Sequence, residues 1–370
     1  MILIKKKLNY LKSIINWLTY FIFLIVLSEI MAGYALKIYR DLRPDLTDWG
    51  IVDRDILDEL TFVQKNALPS VYRWYYNYPN FKGKHVITDE SGFRINADKL
   101  DSRKKVGMFG GSTTFSVLTD QKGTIAHQAS DNNYQILNFG VGGYSTSAEI
   151  MTFVEAIRRY PDIEIAIFYD GVNELGTSIE KNTDYNHPEF LMGRPFDAVM
   201  NWAYENYDKT DFSLRRSNLY YIFSRIYEIS QKGYQNYTEV SSDKDFINPI
   251  VNRYYENLKV LKGICSSYSI NCIFTWQPSI YTVPDENLTP EEKIKKDSSY
   301  AKEYYLNLTN AIFSNPLADK YKVRDLTLSL RNKNKNTRIF ADWHHLNSQG
   351  NKLVANSLKE LLHNNKTISK

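Results

Sequence analysis

The sequence predicts an α/β fold for residues 101–365: a three-layer α/β/α, flavodoxin-like domain with a central parallel sheet. Three observations carry this. The apolar runs at 104–109 (KKVGMF), 134–139 (YQILNF), 163–169 (IEIAIFY) and 272–276 (CIFTW) are continuous rather than alternating, as in strands covered on both faces. Segments of helical spacing lie between them. The first two runs end at glycine, where a strand can give way to a sharp turn.

Taken in chain order, the first element stands outside that domain. Ile14 to Leu27 is almost unbroken apolar sequence, preceded by Lys5, Lys6, Lys7 and Lys12. With its continuation to Leu36 it reaches the roughly 20 residues that span a bilayer. Residues 1–12 then form a basic cytoplasmic terminus and 13–36 a single transmembrane helix, with Glu29 near one end, where a charge costs less than at the midplane. The lysine cluster places the remaining chain outside the cytoplasm, although Lys37, Arg40 and Arg43 weigh against that orientation. A cleaved signal peptide is the rival reading, with Gly33-Tyr34-Ala35 as its cleavage site and a secreted product. A buried helix of a soluble protein is the third, disfavoured because no polar residue interrupts one face.

Residues 37–100 read as a polar, aromatic-rich, irregular lead-in. Helices are expected at Thr124 to Asp131 and at Ser147 to Tyr160, the latter with Ile150, Phe153, Val154 and Ile157 on one side. Residues 176–247, rich in Tyr, Asn, Asp and Ser, break the rhythm and read as an insertion over the sheet. It resumes with a helix from Pro249 to Ile264, a charged helix over 290–313 and a short strand from Tyr321 to Leu326. A last helix, Ser348 to Leu362, carries Leu353, Val354, Leu358, Leu361 and Leu362.

Composition narrows the function. The net charge is +4 over 370 residues, with no Lys/Arg stripe interleaved with aromatics beyond the N-terminus, which argues against a nucleic-acid partner. The 28 tyrosines fit a coding bias first and a sugar-binding surface second. Two cysteines, Cys265 and Cys272, make neither a disulfide framework nor a metal site. They are a pair in an oxidising compartment or two unrelated thiols.

In such a fold, chemistry gathers beyond the C-terminal ends of the strands. GGSTTFS (110–116) puts Ser112 after the first strand at the start of a helix, without the lysine of a phosphate-binding loop. NFGVGGYST (138–146) allows close backbone approach after the second. YDGVNEL (169–175) offers Asn173, an uncharged amide donor, after the third. FADWHHLNSQGN (340–351) spaces Asp342 and His345 so that a helical turn would put them on one face. Each alone is an ordinary turn or cap; the order Ser, Gly, Asn, Asp-x-x-His is not.

Together these blocks resemble the SGNH (GDSL-like) hydrolase family over about 104–362. The resemblance implies a serine esterase with Ser112 as nucleophile and Asp342 and His345 completing a triad. It implies an oxyanion hole from Ser112, Gly143 and Asn173, and no metal or organic cofactor. The stretch SGFR (91–94) and the anchor resemble membrane-anchored bacterial envelope members. Two departures stand out: Gly-Gly-Ser-Thr-Thr in place of Gly-Asp-Ser-Leu, and Glu174 where the family has Asp. The expected substrate is a carboxylic, O-acetyl ester on an envelope or extracellular polysaccharide, or another small ester. Transfer of the acyl group to a sugar hydroxyl and a non-catalytic scaffold in polysaccharide assembly are the alternatives.

Overall fold

A computed structural model of the protein describes residues 2–42, 54–70, 74–95, 101–179, 219, 244–298, 301–331 and 333–364. The chain divides into two compact units, 1–48 with 208–236, and 49–207 with 237–370. In the first, helix α1 (Ile2–Leu42) contains a 24-residue stretch, Lys12–Ala35, with a mean hydropathy of 1.9. Trp17, Phe21 and Phe23 on it are exposed, an arrangement that water disfavours and lipid tails do not. Length and composition suit both a membrane span and a signal sequence. The Glu29 carboxylate accepts the backbone N–H of Leu219 at 3.2 Å, which satisfies part of a charge set in an apolar helix.

The second unit holds the predicted sheet. Strands β3 (Lys104–Gly110), β4 (Tyr134–Gly140), β5 (Ile163–Asp170), β6 (Asn271–Trp276) and β7 (Arg324–Asp325) run parallel in the order β4-β3-β5-β6-β7. The sheet starts at β3, one strand in from the edge, steps out to β4 on one side and returns to β5 on the other. The switch point of the topology therefore lies at the end of β3, where Ser112 follows. Side chains of β3, β4 and β5 are buried almost throughout, which is why their sequences read as unbroken apolar runs.

Register is set by an aromatic ladder. Phe109 pairs with Phe139 on one side and Phe168 on the other, and Phe168 pairs with Phe274. The rings stack at 4.9, 5.2 and 5.5 Å between centroids. Phe153, from helix α5 (Thr146–Arg159), stands edge-on to Phe109 and Phe168. Such pairs contribute about 0.5–1.5 kcal/mol each beyond area burial. Slipping one strand by a residue would break its rungs and carry its ring to the opposite face of the sheet. The long helix α7 (Lys244–Ser267) packs beside α5, following α6 (Val172–Ile179) in chain order. On the other side, α4 (Ile125–Ala129) lies on β4 and α11 (Ser348–Asn364) lies on α4. Between β3 and α4 runs the single-turn helix α3 (Ser112–Phe115).

Several expectations need correction. The lead-in is not irregular: it contains helix α2 (Arg54–Lys65) and a two-stranded antiparallel ribbon, β1 (Leu68–Ser70) with β2 (Trp74–Tyr76). The Glu59 carboxylate of α2 accepts the N–H groups of Lys84, His85 and Val86 at 2.8–2.9 Å and so ties the ribbon's continuation to the helix. The charged helix is described as α8 (Pro290–Ser298) and α9 (Ala301–Ser314), with 299–300 outside the described residues, and the strand expected at 321–326 shrinks to β7 after a short helix, α10 (Leu317–Tyr321). Of the insertion, 180–218 and 220–243 lie outside the described residues. Cys265, at the end of α7, and Cys272, in β6, form a disulfide across a Cα–Cα distance of 6.1 Å.

Candidate active site

Two glycines are dictated by the site. A Cβ on Gly111 would lie 1.8 Å from the Asn173 amide nitrogen and 2.9 Å from the Tyr144 carbonyl oxygen, so the β3, β4 and β5 loops meet at the residue before Ser112. Gly143 has φ +78°, and a Cβ there would meet the Tyr75 hydroxyl at 2.9 Å. Asn173 donates its side-chain N–H to the Tyr144 carbonyl at 2.6 Å, joining the loops that follow β4 and β5. A fourth loop joins them: the Thr113 hydroxyl donates to the side-chain oxygen of buried Gln277, just past β6, at 2.7 Å.

Ser112 begins α3, whose turn closes through Phe115 N–H to Gly111 O and Ser116 N–H to Ser112 O. Backbone groups close this turn without the Ser112 hydroxyl, leaving it to other uses. That hydroxyl lies 2.8 Å from His345 Nε2, and His345 Nδ1 lies 2.5 Å from Asp342 Oδ2. Residues 233 apart in sequence thus complete one hydrogen-bonded relay.

The Asp-x-x-His segment is not the helical turn that its spacing suggests. It is a bent loop in which Asp342 Oδ1 accepts the backbone N–H groups of His344 and His345 at 2.9 and 2.7 Å. One oxygen shapes the loop and the other holds the ring. The loop is anchored in turn by fully buried Glu292, which accepts the N–H of Ile339 at 2.8 Å and of Phe340 at 3.1 Å and pairs with Lys333 Nζ at 2.8 Å. Lys295 donates to the Ala341 carbonyl.

Burial alone would raise the Asp342 carboxyl. Attraction to His344 and His345 and the ring and amide hydrogen bonds from His345 outweigh it and hold the group well below the usual carboxylate range. His344 does not turn away from the site, as helical spacing implies. Its ring packs between Trp343 and His345, at 4.3 and 3.9 Å between centroids, and burial followed by repulsion from His345 pushes it down to about 3.

His344 therefore carries a pH-dependent cost. Unfolded, it takes its proton near 6.5; folded, near 3, so protons favour the unfolded chain between those values and stability falls as pH falls. At pH 5 the cost is about 2 kcal/mol. His344→Gln, which does not titrate, should flatten that part of the profile. Denaturant unfolding at pH 7.5 and pH 5 should show the variant gaining about 2 kcal/mol on the wild type between the two; parallel profiles would dismiss the idea.

Sequence reasoning singled out Ser112, Gly143, Asn173, Asp342 and His345, and the structure gathers them at one edge of the sheet. It missed four supporting residues. Glu174, noted only as a departure, is buried and accepts both the N–H and the hydroxyl of Thr146, at 2.7 and 3.0 Å, bracing the loop after β5 against the start of α5. Buried Arg94, from SGFR, donates to the carbonyls of Phe115, Ser116 and Thr119 at 2.6–3.0 Å and fixes the chain leaving Ser112. Tyr75 donates to the Gly142 carbonyl. His344 is the fourth. Of these, SGFR and the departure at Glu174 left a trace in the sequence.

Asp342, His344 and His345 also offer nitrogen and oxygen atoms within 4.8 Å of one another. Both carboxylate oxygens and both ring nitrogens of His345 are already engaged within the relay and its loop.

No family model matches the sequence, and no curated protein does. Solved structures do. One assigned to the G-D-S-L lipolytic family, from Desulfitobacterium hafniense, is 9% identical with a TM-score of 0.38, over 70% of this chain and 99% of its own. An acetyl xylan esterase is 13% identical with a TM-score of 0.38, over 70% and 98%. A member of the lipolytic G-D-S-L family from Veillonella parvula is 13% identical with a TM-score of 0.35, over 70% and 96%, and the chain is similar to all three in fold.

Proposed function

We propose that this chain is an SGNH-type serine esterase that cleaves carboxylic esters, with O-acetyl groups on an envelope or extracellular polysaccharide as its substrate. One observation carries the reading: the unbroken relay Ser112–His345–Asp342 at the switch point of a parallel sheet. Ser112 Oγ attacks the ester carbonyl carbon as its proton passes to His345 Nε2, and Asp342 stabilises the imidazolium. The tetrahedral oxyanion is met by the amides of Ser112 and Gly143 and the side-chain amide of Asn173. When the C–O bond breaks, His345 returns the proton to the leaving alcohol. Water then repeats the sequence on the acyl-enzyme and releases the acid.

The full chain in detergent should be labelled by a fluorophosphonate at Ser112 and should release acetate from an acetylated oligosaccharide. Labelling at Ser145 or Ser116 would overturn the assignment. The α1 helix supports membrane attachment with the enzyme on the extracytoplasmic side. A C-terminal alkaline phosphatase fusion should accordingly be active, and a C-terminal fluorescent protein that folds only in the cytosol should stay dark. The reverse pattern would remove the envelope substrate.

A further inference from the structure

Val141 to Tyr144 is a β-turn, closed by Tyr144 N–H donating to Val141 O at 3.2 Å. Its third residue, Gly143, has φ +78°, while Gly142 before it is not among the positive-φ residues. That combination defines a type II turn. Types I and II differ by a flip of the central peptide, here the one between Gly142 and Gly143. In a trans peptide the carbonyl and the N–H point in opposite directions, so the flip that moves the Gly142 oxygen also reverses the Gly143 N–H. Two adjacent glycines accept either form at little steric cost. The sequence of the turn does not decide which one is populated.

A side chain from outside the turn does. The Tyr75 hydroxyl of β2, 67 residues earlier, donates to the Gly142 carbonyl. Tyr144 returns the contact by donating its own hydroxyl to the Tyr75 carbonyl, and the two rings meet edge-to-face at 5.3 Å. Buried Asn77, two residues on, donates to the Gly140 carbonyl at 3.3 Å and ties the same ribbon to the start of the loop. From these contacts we infer that Tyr75 is a positioning residue for the oxyanion hole. By gripping the Gly142 oxygen it holds the turn in its type II form and aims the Gly143 N–H away from itself, toward the developing oxyanion. Without that grip the flipped peptide presents a carbonyl oxygen where a donor is required. The inference rests on the esterase reading, in which Gly143 is an oxyanion donor, and extends the working site to a segment outside the four signature blocks.

Tyr75→Phe keeps the ring and its edge-to-face contact and removes only the hydroxyl. With p-nitrophenyl acetate as substrate, kcat should fall about 3- to 10-fold, the shift expected from one lost hydrogen bond, with KM unchanged. Complete loss of an oxyanion donor, about 10²–10³-fold, sets the ceiling. Affinity for a small alkyl boronic acid, which forms a tetrahedral adduct on the serine, should fall by the same factor as kcat. The melting temperature and the acid limb of the pH–rate profile should hold. A kcat within twofold of wild type, or a rise in KM alone, would overturn the latch while leaving the site assignment standing. A fall in kcat with no loss of boronate affinity would do the same. Full turnover in Ser112→Ala would overturn both.

Discussion

Hydrolysis of p-nitrophenyl acetate by Ser112→Ala is expected to fall by about 10³-fold or more, His345→Ala to match it, and the double variant to fall no further. The geometry accounts for each part. The α3 turn closes through backbone groups, so removing the Ser112 hydroxyl leaves the turn intact and deletes the nucleophile. Removing the His345 ring leaves a serine with no base, because the relay offers it no other. Since one step needs both, the second deletion has nothing left to remove; the residual rate is attack by water helped by the oxyanion donors. Steady-state kinetics on the three proteins checks this. If the double variant is slower by the product of the single losses, the two residues act independently and the relay is not the machinery.

Asp342→Asn should be nearly as severe, about 10³–10⁴-fold, with the fold preserved. Oδ1 accepts two backbone N–H groups, a position only an oxygen can fill, so asparagine keeps its oxygen there and turns its NH₂ toward His345 Nδ1. Nδ1 must then accept rather than donate. The ring proton moves to Nε2, and the nitrogen facing Ser112 can no longer take a proton. The loss should appear in kcat, with an unchanged melting temperature and a slow rate of fluorophosphonate labelling. Labelling at the wild-type rate would mean that Asp342 shapes the loop without tuning the base.

The sheet was legible because its strands bury both faces, and β3, β4 and β5 therefore show as apolar runs bounded by glycine. The candidate site was legible because Ser112, Gly143 and Asn173 follow the ends of those same strands. What stayed hidden depends on partners far away in sequence. Strands β1 and β2 have three residues each, too few to show alternation, and owe their place to Tyr75 and Asn77 reaching a loop more than sixty residues on. Asp342 and His345 do meet, but not through the helical turn their spacing suggests: a spacing of three fits a helical turn and a carboxylate-capped bend equally well. Only the bend brings His344 in beside His345. Glu174 looked like a neutral departure because its neighbour Thr146 belongs to another loop.

The aromatic ladder has a consequence for how this protein can vary. Its rungs lie one residue short of Gly110 and Gly140 and two short of Asp170, close beneath the loops that carry Ser112, Gly143 and Asn173. The height of each loop above the sheet is therefore levelled by stacked rings and not by the loops' own length. Segments entering after the rung on β5 and rejoining before the rung on β6 can lengthen, shorten or change composition without tilting Ser112, Gly143 and Asn173. The chain between Ile179 and Lys244 is joined at those two points, after the rung on β5 and before the rung on β6.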